Sequence, residues 1–90
     1  MAQAVVDPGE VRRFAHQLKQ FTSELLNQMA VVQRQVAGLG STWRDQEHKK
    51  FMEDFEQQIQ VLRRFVESTN TYIPFLVRKA ERVEEYLQQR

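Results

Sequence analysis

The sequence predicts an all-α fold: a helical hairpin of two long antiparallel helices, pairing with a second hairpin into a four-helix-bundle dimer. Two long runs of helix-forming residues carry apolar residues three or four positions apart, which is the spacing of one helix face. Between the runs lie Gly38 and Gly40, which can close a helix, and the only tryptophan, Trp43. The 90 residues are therefore expected to form a single domain, with its turn near the middle of the chain.

The first helix is predicted over residues 8–38, after a loose arm formed by Met1 to Val6. Asp7 is a suitable N-cap, and Pro8 suits the first helical position because it has no N–H to satisfy. Neither Pro nor Gly interrupts the chain between Glu10 and Ala37. The apolar face of this helix is predicted to comprise Val11, Phe14, Leu18, Phe21, Leu25, Met29, Val32, Val36 and Leu39.

The turn is predicted over residues 39–42. Gly38 or Gly40 is expected to adopt the left-handed conformation that ends many helices. Ser41 or Thr42 can accept from the free N–H groups of the next helix, and Thr42 and Asp45 have the spacing of a capping box. Trp43 is a large ring at a turn, so it either covers the end of its own hairpin or packs against a partner.

The second helix is predicted over residues 43–73, with a C-terminal helical extension over residues 75–89. Pro74 removes a backbone donor and crowds the preceding turn, which predicts a kink or a break. A second apolar line beside the main stripe makes this face wider than the seam of a two-stranded coiled coil. The main stripe is Phe51, Phe55, Ile59, Leu62, Val66, Thr69, Ile73, Leu76, Ala80, Val83 and Leu87, and the second line is Val61, Phe65, Tyr72 and Phe75.

Residues 75–90 are expected to overhang the first helix. The first helix begins at Pro8, and a hairpin folded at Gly40 places Pro8 opposite Tyr72. The first helix is therefore expected to cover the second helix only as far as Tyr72. The extension either folds back as a third helix or is covered by another chain, and the second arrangement is favoured because it also covers the wide stripe. The predicted oligomer interface is Phe65, Tyr72, Ile73, Phe75, Leu76, Val83 and Leu87.

Composition argues against several functional classes. The net charge of +1 and the interspersed charges give no basic face for nucleic acid, and no apolar run is long enough to span a membrane. The chain has no cysteine, and His16 and His48 stand alone among carboxylates that are expected to be solvated. The sequence therefore predicts no enzyme, no catalytic residue, no cofactor and no metal site. The first residues lack the features of a cleavable signal peptide, so a cytoplasmic location is expected, with any export by a route that does not read such a signal.

The turn resembles that of a known family. It reads Leu39-Gly40-Ser41-Thr42-Trp43-Arg44-Asp45 and is followed by Phe51. This pattern between two helices resembles the WXG (Trp-x-Gly) superfamily, the early-secreted-antigen-like small proteins of type VII secretion. On this resemblance the motif residues are Gly40, Trp43, Asp45 and Phe51, with Asp45 where the family has Gly. The resemblance covers essentially the whole chain and implies an antiparallel four-helix dimer that is a secretion substrate or an adaptor for one. The implied partners are a second copy or a WXG-like chain, a secretion ATPase, or a larger cargo protein.

The C-terminal part departs from the family pattern. The family's export signal is Tyr-x-x-x-Asp/Glu after the second helix, whereas Tyr86 is followed four residues later by Arg90 and Tyr72 by Leu76. This departure supports a rival hypothesis, in which the protein is an intracellular coiled-coil adaptor that binds a larger protein and is not itself exported.

Overall fold

The protein is a hairpin of two long helices. The computed structural model describes residues 6–89, so the predicted arm at residues 1–5 lies outside the described residues. Helix α1 spans Pro8–Leu39 and helix α2 spans Gln46–Gln88, with no strand between residues 6 and 89. The molecule measures 69 × 22 × 17 Å, so it is a single layer of two helices and both broad faces are open. The predicted all-α helical hairpin is confirmed.

Helix α1 begins where its cap residue can satisfy the free N–H groups of the first turn. The side chain of Asp7 accepts hydrogen bonds from the backbone N–H of Gly9 at 2.8 Å and of Glu10 at 3.3 Å. Pro8 takes the first helical position, where its missing N–H costs nothing.

The two helices meet along seams with a seven-residue repeat. The buried residues of α1 are Ala15, Thr22, Met29 and Val36, and those of α2 are Ile59, Val66 and Ala80. Ile73, half-buried, completes the repeat on α2. A repeat of seven keeps one stripe of each helix facing its neighbour, as in coiled coils.

Among the described residues, three side-chain contacts join the two helices. The hydroxyl of Thr22 lies 3.2 Å from Oδ1 of Asn70, and the other two contacts fix the register. Arg12 binds Glu84 and Gln33 binds Arg63, and the two contacts are equally far apart along the sequence of each helix. In this antiparallel register Ala15 lies roughly opposite Ala80, and Val36 lies roughly opposite Ile59. At the end of the hairpin near the chain termini, the buried side chains of the seam, Ala15 and Ala80, are therefore the smallest.

Of the two alternatives predicted at Pro74, a kink or a break, the structure contains no break. Helix α2 is continuous from Gln46 to Gln88 with Pro74 inside it, so the C-terminal extension continues α2 and does not fold back as a third helix. The only backbone acceptor that loses its donor to Pro74 is the carbonyl of Asn70, four residues earlier, and both residues are exposed, so water can take the place of that donor. Val66 and Ala80 hold the helix in the seam on either side.

The prediction that residues 75–90 overhang α1 is wrong for residues 75–89, which the structure describes. Ala80 is fully buried, and Glu84 binds Arg12 at the start of α1, so the end of α2 covers α1. The error came from placing the fold of the hairpin at Gly40. Six residues beyond Gln33 is Leu39, and six residues before Arg63 is Gln57, so α1 ends opposite residue 57. The overhang lies at the other end: residues 46–56 of α2 extend about 16 Å past the end of α1.

Candidate functional site

The turn spans residues 40–45 and not 39–42, and it closes α1 without a left-handed residue. The cap residue Gly40 has φ −60° and ψ −17°, and no glycine has a positive φ, so the predicted left-handed closure is wrong. Instead, the backbone N–H groups of Thr42 and Trp43 both donate to the carbonyl of Leu39, at 3.0 and 2.7 Å. A Cβ at Gly40 would lie 3.3 Å from the carbonyl oxygen of Ala37, so a larger residue would require the backbone there to shift by a few tenths of an ångström.

Thr42 and Asp45 act differently from the predicted capping box. The hydroxyl of Thr42 points back and donates to the carbonyl of Leu39 at 3.4 Å, so it serves the end of α1. Asp45 is itself the N-cap of α2, and its Oδ1 accepts from the backbone N–H of His48 at 3.0 Å. Helix α2 therefore begins at Gln46 and not at residue 43, because its N-cap is Asp45 and not Thr42. The carboxylate of Asp45 accepts from the free N–H of His48 in the first turn.

Trp43 anchors the turn to the overhanging part of α2. Its ring centroid lies 4.9 Å from that of His48 and 5.9 Å from that of Phe51, and Phe51 stacks on Phe55 at 5.8 Å. Trp43 and Phe55 are half-buried, whereas Phe51 is exposed. Within the chain, Trp43 therefore packs against the first turns of α2.

His48 is the contact of this turn that the sequence did not reveal. Its ring packs against Trp43, and its Nε2 is buried with no hydrogen-bond partner among residues 6–89. Beside it, Arg44, Asp45, Gln46, Lys49 and Met52 line an open concavity of about 480 Å³. The sequence signal was weak, because a single histidine three residues after a helix cap has no distinctive pattern.

One broad face of the hairpin is strongly apolar, and we call it the apolar side. The rings of Phe21 on α1 and Phe65 on α2 meet edge to face at 6.4 Å, which puts the apolar lines of both helices on the same face. Eight large apolar side chains on this side are at least 38% exposed. They are Phe14, Phe21, Val32 and Leu39 of α1 and Val61, Phe65, Tyr72 and Phe75 of α2.

The polar contacts between the helices lie on the opposite face. On α1, Arg12 precedes the buried Ala15 by three residues and Phe14 precedes it by one, so at about 100° per residue the two side chains leave the seam on opposite sides. Arg12 binds Glu84 there through two nitrogen–oxygen contacts of 2.6 and 3.2 Å. The two faces therefore differ: one carries the Arg12–Glu84 ion pair and the hydrogen bond between Gln33 and Arg63, and the other is uncovered apolar surface.

The predicted interface residues fall into two groups. Phe65, Tyr72, Phe75 and Leu87 are exposed. Ile73, Leu76 and Val83 are half-buried within the hairpin. Ile73 is the clearest member of the second group, since it occupies the seam between Val66 and Ala80. The structure therefore leaves the first group more surface to offer a partner than the second.

The described residues contain no cluster of ligating side chains. Between residues 6 and 89, no three carboxylates or histidines lie close enough together to hold a metal ion. His16 lies on exposed α1 surface, far along the chain from the turn that contains His48. Over the same range, neither helix is long and apolar enough to cross a membrane.

The sequence matches the family WXG100, described as proteins of 100 residues with WXG, over residues 3–86. The chain belongs to the WXG100 family. Members of this family are small non-catalytic proteins that are typically substrates of type VII secretion, leave the cell without a signal peptide, and form homodimers or heterodimers. Searches of curated proteins and of solved structures gave no match.

The structure explains why this WXG100 protein tolerates Asp45 at the third motif position. That position is the N-cap of α2. Glycine is acceptable at an N-cap, but aspartate is better, because its carboxylate accepts from the free N–H groups and favours the positive end of the helix dipole. In the Trp-Arg-Asp turn of this chain, the side chain of Asp45 therefore caps α2.

Proposed function

We propose that this protein is a non-catalytic substrate or partner of a type VII-like secretion system, acting by assembly into a dimeric four-helix bundle. The observation that carries the proposal is the apolar side of a hairpin that matches the WXG100 family over residues 3–86. A single layer of two helices cannot cover that face by itself. A second hairpin would cover it and convert the layer into a bundle with an interior.

The exposure of large apolar side chains supports a function that depends on binding another protein chain. Tyr72 and Phe75 are 60% and 55% exposed, and Phe14 is 56% exposed. A contiguous patch of large apolar side chains is rare on soluble monomers and usually marks an interaction surface. The partner of the proposed bundle is a second copy or another WXG-like chain, and a secretion ATPase or larger cargo protein would contact the assembled form.

Cell fractionation tests the proposed role in secretion. The protein is expected in the medium of producing cells and is expected to be retained in the cytoplasm when the secretion ATPase is deleted, with an unrelated cytoplasmic enzyme as the control for lysis. Recovery only from the cytoplasm in both strains would contradict export.

A second candidate is an intracellular adaptor that binds a larger protein and is not exported. The observation that favours it is the lack of a Tyr-x-x-x-Asp/Glu pattern at either tyrosine, since Tyr86 is followed by Arg90 and Tyr72 by Leu76. Affinity purification from native cells separates the two hypotheses. Stable recovery with a large protein unrelated to secretion favours the adaptor, whereas recovery with a secretion component or a WXG-like chain favours the first proposal.

A further inference from the structure

We propose that the polar side of the hairpin binds an acidic segment of a partner protein, which inserts one apolar side chain between the two helices. The polar side is the face opposite the apolar side, and the site is the groove beside Lys19 of α1 and Val77 of α2. The proposal goes beyond the secretion role and the four-helix bundle, because a second hairpin on the apolar side would leave this face open.

Four pairs of residues face one another along the polar side. Counted in steps of seven from the contact between Arg12 and Glu84, the α1 residues are 12, 19, 26 and 33, and the α2 residues opposite them are 84, 77, 70 and 63. Steps of seven keep each row on one stripe of its helix. The fourth pair is the observed contact between Gln33 and Arg63, so the register is the same at both ends of the row.

The two outer pairs are bonded, whereas the two inner pairs are mismatched. Lys19 faces Val77 and Leu26 faces Asn70, so each inner pair sets a polar side chain against an apolar one. Leu26 is 40% exposed, and the amide oxygen of Asn70 lies 3.2 Å from the hydroxyl of Thr22. Because neither inner pair closes the space between the helices, a groove remains between the two bonded ends.

A cavity of about 260 Å³ opens in this groove. Its floor is apolar, since Ala15 is buried and Ile73 and Val77 are half-buried. Ala15 contributes only a methyl group, which leaves open the volume that a larger seam residue would fill. Pockets for drug-sized ligands enclose roughly 300–1,000 Å³, so this cavity is better suited to a single inserted side chain.

The rim of the cavity is basic. It is formed by Arg12, His16 and Lys19, which are all exposed on one face of α1. Among the described residues no carboxylate lines the cavity: Glu84 lies at its end bound to Arg12, and Glu81 also lies near Arg12. The Arg12–Glu84 pair is the only ion pair between residues 6 and 89, so the ammonium of Lys19 has no carboxylate partner there.

An acidic amphipathic segment is complementary to both parts of this groove. A carboxylate of the partner would bind the ammonium of Lys19, and an apolar side chain one helical turn away would enter the cavity or cover Leu26. An amphipathic helix that lies in a groove is a common form of peptide recognition, and charge complementarity of this kind selects the partner. A nucleic acid or a lipid headgroup would neutralise Lys19 but would leave the apolar floor uncovered.

Titration of the full-length protein with a synthetic peptide tests the proposal. The probe is a capped peptide of about 15 residues, long enough to form a helix, with leucine and glutamate along one face. In nuclear magnetic resonance spectra it should shift the methyl signals of Leu26, Ile73 and Val77 and leave those of Val32 and Val61 on the apolar side unchanged. Binding should weaken as the salt concentration rises, because exposed charges are screened.

Charge reversal in the protein identifies the cationic contact. Lys19→Glu should weaken peptide binding about tenfold, because it replaces an attraction by a repulsion. Lys50→Glu makes the same change at an exposed position of α2 outside the groove and should bind as the wild type does. Leu26→Gln should weaken binding about fivefold through the lost apolar contact, whereas Leu39→Gln, at an equally exposed leucine of the apolar side, should not.

Changes in the probe complete the test. Peptides with glutamine in place of glutamate, or alanine in place of leucine, should each bind more weakly than the original. Equal binding of the glutamine peptide, equal binding of Lys19→Glu and the wild type, or methyl shifts confined to the apolar side would overturn the proposal. Preferential binding to phosphatidylglycerol vesicles over the peptide would also overturn it, because the partner would then be a membrane. None of these results depends on whether the protein is exported.

Discussion

Arg12 and Glu84 join the beginning of α1 to the end of α2, although they lie far apart in the sequence. The guanidinium Nη2 lies 2.6 Å from Oε1 of the carboxylate, and Nε lies 3.2 Å from Oε2. Contact through two nitrogens and two oxygens fixes the relative orientation of both groups better than a single contact does. This ion pair marks the register of the hairpin at its open end, where the seam residues Ala15 and Ala80 are small.

The ion pair gives the stability a specific pH dependence. The hydrogen bond from Arg12 lowers the pKa of Glu84 below its ordinary value of 4.5, although desolvation opposes this. Because the folded-state pKa is the lower one, the contribution is complete above the unfolded pKa and is lost as the pH falls through the folded value. Glu84→Gln should lower the melting temperature slightly at neutral pH and make no difference once the wild-type carboxyl is protonated. Glu85→Gln, at the next residue, is the control, and an equal effect of both changes at neutral pH would contradict a role for the pair.

Removing the end of α2 should destabilise the monomer itself. A chain that stops at Ile73 loses Ala80, Val83 and Glu84, which cover the first half of α1. We expect circular dichroism to show a loss of helix greater than the deleted residues account for, since the uncovered part of α1 is a marginal helix in isolation. A chain that stops at Leu87 keeps this cover and is the control. A loss of helix no larger than the deleted segment would contradict the register described above.

The spacing of apolar residues was sufficient to predict two helices and a hairpin, but not how the helices are aligned. Periodicity identifies a face, and it selected Met29 and Val36 correctly; it missed Ala15 and Thr22 because small and polar residues do not stand out in an apolar pattern. The register depends on which residues meet across the seam. Contacts such as that between Arg12 and Glu84 determine the register, and the apolar pattern of one helix does not indicate which residue of the other helix it meets.

The start of α2 shows why the site itself was harder to predict. Thr42 and Asp45 are both good cap residues, and sequence alone does not say which carbonyl or N–H each will serve. In the structure the Thr42 hydroxyl serves α1 and the Asp45 carboxylate serves α2, which moves the helix start by three residues. Because α2 begins three residues later, the turn is longer than predicted. The contacts of Trp43 with His48 and Phe51 then lie beyond the end of α1.

Replacing Pro74 should stabilise the protein. The proline lies inside a continuous helix at an exposed position, where it denies the carbonyl of Asn70 its normal donor. Pro74→Ala should raise the free energy of unfolding by about 1–3 kcal/mol, as expected for restoring one hydrogen bond and relieving crowding. Arg78→Ala, an exposed change one turn later between two good helix formers, should be nearly neutral. A destabilised Pro74→Ala protein would mean that the fold depends on the local geometry that proline imposes.

Enlarging Ala80 should force the helices apart. Ala80 is completely buried and lies roughly opposite Ala15, so a larger side chain has no free volume to enter. Ala80→Leu should lower the free energy of unfolding by about 1–3 kcal/mol through overpacking, measured by urea denaturation. Ala37→Leu makes the same change at an exposed position of α1 and should have little effect. An unchanged stability of Ala80→Leu would show that the open end of the seam is loosely packed.

Removing the Trp43 ring should loosen the turn before it affects the rest of the hairpin. Its contacts with His48 and Phe51 join the loop to the part of α2 that extends beyond α1, and this region has no other helix to cover it. Because the ring is half-buried, Trp43→Ala should cost about 2–3 kcal/mol, less than the roughly 3–5 kcal/mol typical of a fully buried ring. Tyr86→Ala removes a 66% exposed ring from α2 and should change stability by less than about 0.5 kcal/mol.

Hydrogen exchange distinguishes a local effect of Trp43→Ala from a global one. The seam between Ala15 and Val36 and the Arg12–Glu84 pair do not touch the turn, so their protection should fall only as far as global stability falls. Amides of residues 46–56 should exchange much faster than in the wild type, because the helix there loses the ring that packs against it. Uniform acceleration along both helices would instead mean that the turn holds the whole hairpin together, and no change at residues 46–56 would show that the ring contributes nothing to the overhang.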